Sequence, residues 1–206
     1  MTGTAHDVPG PVAALVRAAG PDLGPAPWRV LDAGGGEGRD ALLLAALGHE
    51  VTVLDRLPAA LEQARAAAAL AGVADRVRTV AADLDDLAAL AALTRHRAGG
   101  SGSFDVVCCH DVLHLRGSVA RAEADVAALT SSLRPGGHLS LTVPPPASGP
   151  SGSSGSPGST GSSGSSPGHL HLAADLLAAA VVAAGGAVAH RAVDADGNLH
   201  LVGRRR

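Results

Sequence analysis

The densest chemical signal in the chain is the run Val30-Leu31-Asp32-Ala33-Gly34-Gly35-Gly36-Glu37-Gly38-Arg39. Apolar residues lead into it and an Ala/Leu-rich stretch follows, so the glycines fall where a strand ends and a helix begins. Glycine at such a corner lets the chain turn sharply and lets a ligand lie against bare backbone. Glu37 narrows the choice of ligand. A carboxylate beside a helix N-terminus repels the pyrophosphate that such a terminus would otherwise cradle, but it admits a cation. The other reading of these glycines is a ligand-free turn that packs helix on strand.

Further carboxylates end two more apolar runs. Asp55 closes Val51-Thr52-Val53-Leu54-Asp55, about twenty residues beyond the glycines, the spacing of an acid that takes ribose hydroxyls. It can also cap the helix that opens at Pro58, and the two roles are compatible. Asp83 closes Val80-Ala81-Ala82-Asp83, and Asp85 and Asp86 are placed to cap the next helix. His110, Asp111 and His114 end a fourth run that begins at Phe104. A neutral histidine there can take a proton near pH 7, and a hydrogen-bonding or solvated histidine is the alternative. No metal site is expected, because His169 and His171 have no cysteine or carboxylate at ligand spacing.

These residues need a scaffold that alternates strand and helix. Strands are predicted at Arg29–Asp32, Glu50–Asp55, Arg76–Ala81, Phe104–His110 and His138–Val143, each a short apolar run suited to burial on both faces. Helices are predicted at Arg39–Leu47, Ala59–Ala71, Leu84–His96 and Val119–Leu133, where apolar residues recur at helical spacing. Leu170–Ala184 reads as a further helix. Ala187–Asp194 and Leu199–Gly203 read as strands joined across Asp196-Gly197, a hairpin signal. The expected fold is α/β: a Rossmann-like, doubly wound, mostly parallel seven-stranded sheet with helices on both faces and a C-terminal antiparallel hairpin. Residues 1–27 read as an N-terminal helical segment and 28–143 as the core. Residues 144–168, almost wholly Gly, Ser and Pro, read as a flexible linker. Residues 169–206 complete the same domain.

The glycines at 34, 36 and 38 after Asp32, with Glu37 among them, resemble the Asp-x-Gly-x-Gly-x-Gly pattern of the class I S-adenosylmethionine-dependent methyltransferases. Arg134-Pro135-Gly136-Gly137-His138-Leu139 resembles a second recurrent element of that family. The resemblance runs from about Trp28 to Val143, and more faintly through Leu170–Gly203. Among small members, the chain looks most like those that methylate a carboxymethyl group on a tRNA wobble uridine. The resemblance implies S-adenosyl-L-methionine as cofactor, with in-line transfer of its methyl group. It implies that Asp32, Gly34, Gly35, Gly36, Gly38, Asp55, Arg56, Asp83, Leu84 and His110 bind it. Asp83 would accept the adenine amino group, the carbonyl at His110 would face the cofactor's amino group, and Leu84 with Arg56–Leu57 would wall the base. His110, Asp111 and His114 stand where a catalytic base would stand.

Composition limits the remaining choices. The 206 residues suit one α/β domain, with 46% apolar residues but only 1% aromatic, so Trp28 and Phe104 are the only large rings. A net charge of -3 gives no basic field for nucleic acid, and few aromatics are on hand to stack on bases. The acceptor is therefore left open between a small molecule and RNA. Neighbouring Cys108 and Cys109 would point to opposite faces of a strand as reduced thiols, which suits a cytoplasmic protein. No membrane-spanning run and no signal peptide are evident. Two other functions remain: a cofactor-binding module that has lost its acceptor lid to the linker, and an NAD-dependent oxidoreductase.

Overall fold

The computed structural model describes residues 10–25, 27–94, 104–145 and 172–206. One sheet holds β1 (Arg29–Ala33), β2 (Glu50–Asp55), β3 (Val77–Ala81), β4 (Phe104–His110), β5 (Leu133–Val143), β6 (Gly186–Val193) and β7 (Leu199–Arg205). Its order is β3-β2-β1-β4-β5-β7-β6. The first five strands are parallel, while β7 runs antiparallel to both β5 and β6. The helices are α1 (Gly10–Leu23), α2 (Arg39–Ala46), α3 (Pro58–Leu70), α4 (Leu87–Thr94), α5 (Val119–Ser132) and α6 (Ala174–Ala183), with a short 3-10 helix at Leu113–Leu115.

Strand residues alternate between two cores. Val30, Val53, Val106 and Cys108 face one side with Leu15 of α1, Leu44 of α2 and Leu61 of α3. Leu31, Leu54, Val107 and Cys109 face the other with Leu90 of α4, Leu129 of α5 and Leu177 of α6. Strands covered on both faces must be apolar throughout, which is why their sequences run without polar alternation. Both cysteines are buried and unbridged. Trp28 and Phe104 are buried too, and Trp28 stacks on His49 with ring centroids 4.1 Å apart.

Most element boundaries shift by a residue or two from expectation; the C-terminal helix is found at Ala174–Ala183 rather than Leu170–Ala184, and β7 extends to Arg205 rather than Gly203. α4 begins at Leu87 rather than Leu84, because the Asp86 carboxylate accepts the Ala89 amide at 2.9 Å and caps the helix there. Asp85 does not share that role; its carboxylate pairs with Arg116 and Arg121. β5 begins at Leu133, opposite Phe104, and its pairing with β4 shifts before resuming at His138 opposite Val106. The hairpin turn closes on Asp194, whose Oδ1 accepts the amides of Asp196 and Asn198 at 2.9 Å each. The expected linker lies outside the described residues from 146 onward, as do His96, His169, Leu170 and His171. Among the described residues, no helix is long and apolar enough to cross a membrane.

Candidate functional site

β1 and β4 are neighbours in the sheet, and the chain leaves them in opposite directions, so a crevice opens beyond their carboxyl ends. The glycine turn fills one side of it. The Gly34 amide donates to the Leu54 carbonyl at 2.7 Å, and the Gly38 amide to the Gly35 carbonyl at 2.8 Å, which turns the backbone into α2. A Cβ at Gly35 would stand 2.5 Å from Asp32 Oδ2, so glycine is required for the chain to cross above that carboxylate. Gly36 has φ +52° and open space where a Cβ would be. Its amide donates to Asp55 Oδ2 at 2.9 Å, and Asp55 Oδ1 accepts the Leu57 amide at 2.8 Å. The ends of β1 and β2 are thus tied by one carboxylate whose oxygens each keep a lone pair.

Two clefts meet at Gly34 and Asp111. The larger, about 610 Å³, is lined by Asp32, Gly35, Glu37, Asp40 and His110, and by Gly10 and Pro11 of α1. The smaller, about 220 Å³, is lined by Asp55, Arg56, Leu57, Asp83, Leu84 and Arg116, among others. Leu57 is mostly exposed within it, whereas Leu84 is buried. Of the residues expected to bind a ligand, Gly38 does not fit. It is buried, and its Cβ position lies 3.0 Å from Ala64 Cβ, so its lack of a side chain serves helix packing between α2 and α3. His114 also departs from expectation. It is 7% exposed on the 3-10 helix and lines neither of these two clefts.

Electrostatics separate the carboxylates. Asp32 is 2% exposed, and its Oδ2 makes no hydrogen bond among the described residues. Burial, reinforced by the negative charge of Asp40, pushes its pKa up to about 7. Asp83 moves the other way, held below the usual carboxylate range by the Asp85 amide first and then by Arg116. His110 is bonded at both ring nitrogens, Nδ1 to Asp40 Oδ2 at 2.6 Å and Nε2 to Ser140 Oγ at 2.9 Å. Asp111 is the one non-glycine described residue with positive φ, +57°. Thr142 holds it there by accepting its amide at 3.1 Å and donating its hydroxyl to Oδ1 at 3.1 Å. Sparsely populated backbone of this kind gathers at functional sites.

Asp40, Ser140, Thr142 and Arg116 were not singled out from the sequence. Asp40 is legible only as a favourable acid in the first turn of α2. The others carry no local mark at all.

The chain matches the family model described as a methyltransferase domain over residues 30–137. It belongs to the methyltransferase domain family. It is 36% identical over 120 residues to the tRNA 5-carboxymethoxyuridine methyltransferase of Escherichia coli K12, a match covering 58% of this chain and 41% of that protein. It is 37% identical over 120 residues to the ubiquinone biosynthesis O-methyltransferase of Xanthomonas axonopodis pv. citri, over 58% of this chain and 44% of that one. Each match therefore spans less than half of the curated relative's length. In fold it resembles the 1,6-didemethyltoxoflavin-N1-methyltransferase of Burkholderia thailandensis, with a TM-score of 0.64 at 22% identity over 95% of this chain and 78% of that one. That structure carries bound 1,6-didemethyltoxoflavin and S-adenosylhomocysteine.

Proposed function

We propose that this chain binds S-adenosylmethionine across the two clefts and transfers its methyl group to an acceptor in the larger one. The observation that carries this reading is Asp55 bonded to the Gly36 amide, which brings the acid at the end of β2 onto the glycine turn. The residues present suit the cofactor. Asp55 has lone pairs left for two ribose hydroxyls, and Gly36 has open space above its backbone. Asp32, which lines the larger cleft, suits an ammonium group. Leu57, Leu84 and the stem of Arg56 wall the smaller cleft for a base, with Asp83 at its edge. Glu37, exposed at the rim of the larger cleft, opposes the pyrophosphate of a nicotinamide dinucleotide.

The bound sulfonium supplies an already activated methyl group, so the protein's main contribution is alignment. Asp111 is the group of the larger cleft placed to take a proton from an acceptor, while His110, bonded at both ring nitrogens to Asp40 and Ser140, is held in place beside it. Among the described residues, Asp32, Glu37, Asp40 and Asp111 line that cleft against one cation, Arg39. Such a surface favours a neutral or cationic acceptor over an anionic one, because like charges brought together raise the cost of binding. A small-molecule acceptor is therefore better supported than the tRNA on which the Escherichia coli relative acts by name. We read residues 28–143 and 169–206 as one domain, with the segment up to residue 27 supplying a wall of the acceptor cleft through Gly10 and Pro11. Two buried thiols suit a reducing cytoplasm.

A module that binds cofactor without turnover is the second reading, supported by matches to less than half of each relative. Calorimetric titration with S-adenosylhomocysteine and NAD, followed by labelled S-adenosylmethionine with amine, hydroxyl and carboxylate acceptors, separates these readings. Tight binding of NAD alone overturns the cofactor assignment. Cofactor binding with no transfer to any acceptor favours the module.

A further inference from the structure

Arg116 follows the 3-10 helix after β4, and its side chain is 12% exposed. Its guanidinium joins three carboxylates. Nε donates to Asp125 Oδ2 of α5 at 2.5 Å, Nη2 to Asp85 Oδ1, and Nη1 to Asp83 Oδ1 at 3.4 Å. The Asp85 amide also donates to Asp83 Oδ1, at 3.1 Å. Every hydrogen bond to the Asp83 carboxylate thus falls on Oδ1, and Oδ2 makes none among the described residues. Both Asp83 and Arg116 line the smaller cleft.

We propose that Arg116 is a positioning residue that sets base specificity, holding Asp83 so that its second oxygen meets the exocyclic group of the bound base. The proposal rests on the cofactor reading above. An ionised carboxylate only accepts hydrogen bonds, so an oriented Asp83 selects a 6-amino purine and rejects a 6-oxo purine, whose oxygen would face another acceptor. The favourable Asp85 amide and Arg116 keep Asp83 ionised. Anchorage comes from α5, where Asp125 is 6% exposed and fixes one edge of the guanidinium fork. Without the fork, Asp83 and Asp85 would repel each other on one short loop, and the carboxylate would lose its single orientation. A lysine offers charge without the planar fork and so restores only part of the effect.

The test is calorimetric titration of the full chain with S-adenosylhomocysteine and with S-inosylhomocysteine, its 6-oxo analogue. Wild type should prefer the amino compound by about tenfold, on the order expected when an acceptor in the cleft meets a second acceptor in place of a donor. Arg116→Met should bring the two affinities to within about threefold, and Arg116→Lys should fall between. Thermal unfolding checks that each variant folds; if Arg116→Met does not, the lysine variant decides, and a wild-type ratio in it overturns the proposal. Proportional weakening of both ligands in Arg116→Met, with the ratio unchanged, marks a merely structural residue and overturns it too. Equal affinities in wild type overturn the proposal but leave the cofactor reading intact. If wild type binds neither ligand, the cofactor reading fails and the proposal falls with it.

Discussion

Asp32 gives the sharpest link between structure and a measurable quantity. Its carboxyl is buried, lacks a partner on Oδ2 among the described residues, and has its pKa pushed up to about 7, chiefly by burial and then by Asp40. A cofactor ammonium placed in the larger cleft beside Asp32 would favour the ionised form, so binding must expel whatever proton Asp32 carries. At pH 6 about nine-tenths of molecules carry it, at pH 7 about half and at pH 8 about one-tenth, and these fractions are the protons released per ligand bound. Affinity should fall about tenfold per pH unit below pH 7 and level off above it. Titrating S-adenosylhomocysteine in buffers of low and high ionisation enthalpy counts the protons directly, and Asp32→Asn removes them. The same shift bears on folding stability. The folded pKa is raised from 3.8 to about 7, so the contribution of Asp32 to stability is full below about pH 4 and is lost as pH rises to 7. The loss is on the order of 4 kcal/mol, and Asp32→Asn should recover part of it at pH 8. No proton release at pH 6, or equal release in the asparagine variant, would refute the placement of the ammonium at Asp32.

Three further outcomes follow from the same geometry. Asp55→Ala should weaken S-adenosylhomocysteine binding by roughly 1–3 kcal/mol through the lost ribose contacts; an unchanged Kd in a folded variant removes Asp55 from the site. Gly35→Ala forces a methyl to within 2.5 Å of Asp32 Oδ2 and 2.9 Å of Val53 Cγ1. It should cost about 1–3 kcal/mol in urea unfolding, and wild-type stability would show that the turn is looser than described. His49, buried on Trp28 and accepting its amide at 3.2 Å, has its pKa lowered from 6.5 to about 4 by burial. The unfolded chain therefore binds the extra proton first, and the slope contributed by His49 is a loss of about 3 kcal/mol as pH drops from 6.5 to 4, opposite in sign to the gain from Asp32 over that range. His49→Asn should flatten that slope, with Trp28 fluorescence as the probe; an unaltered slope places the acid sensitivity elsewhere.

Much of the scaffold is legible in the chain itself, and the reasons are local. Glu50–Asp55 and Phe104–His110 are found with the expected limits, because each is a short apolar run stopped by a polar residue at the end of a doubly covered strand. The start of β5 is not local. Leu133 joins the sheet only because Gly137 has no Cβ to strike the carbonyls of Asp105 and Phe104, 2.9 and 3.1 Å from where one would stand. The site divides along the same line. Asp32, Asp55 and Asp83 stand out because each ends a strand beside a turn, whereas the partners that tune them are distant in sequence. His110 meets Asp40 across 70 residues and Ser140 across 30, and Arg116 meets Asp83 across 33. No periodicity marks such pairs, since only the sheet order brings them together.

That order also explains why the costly groups lie where they do. β1 and β4 are the one parallel pair whose connections depart to opposite sides, so backbone beyond their ends is not covered by a crossover helix. Asp32 at the end of β1 and His110 with Asp111 at the end of β4 fill that gap. They include a buried, partly protonated carboxyl, a histidine bonded at both nitrogens and a left-handed aspartate. None of these improves the fold by itself: an unpaired buried carboxyl and a positive φ each oppose it. Leucine, valine and alanine fill most of the two cores that cover the rest of the sheet. Concentrated local cost at a switch point is what a site preorganised for a charged ligand requires, since the ligand's own charge then relieves it.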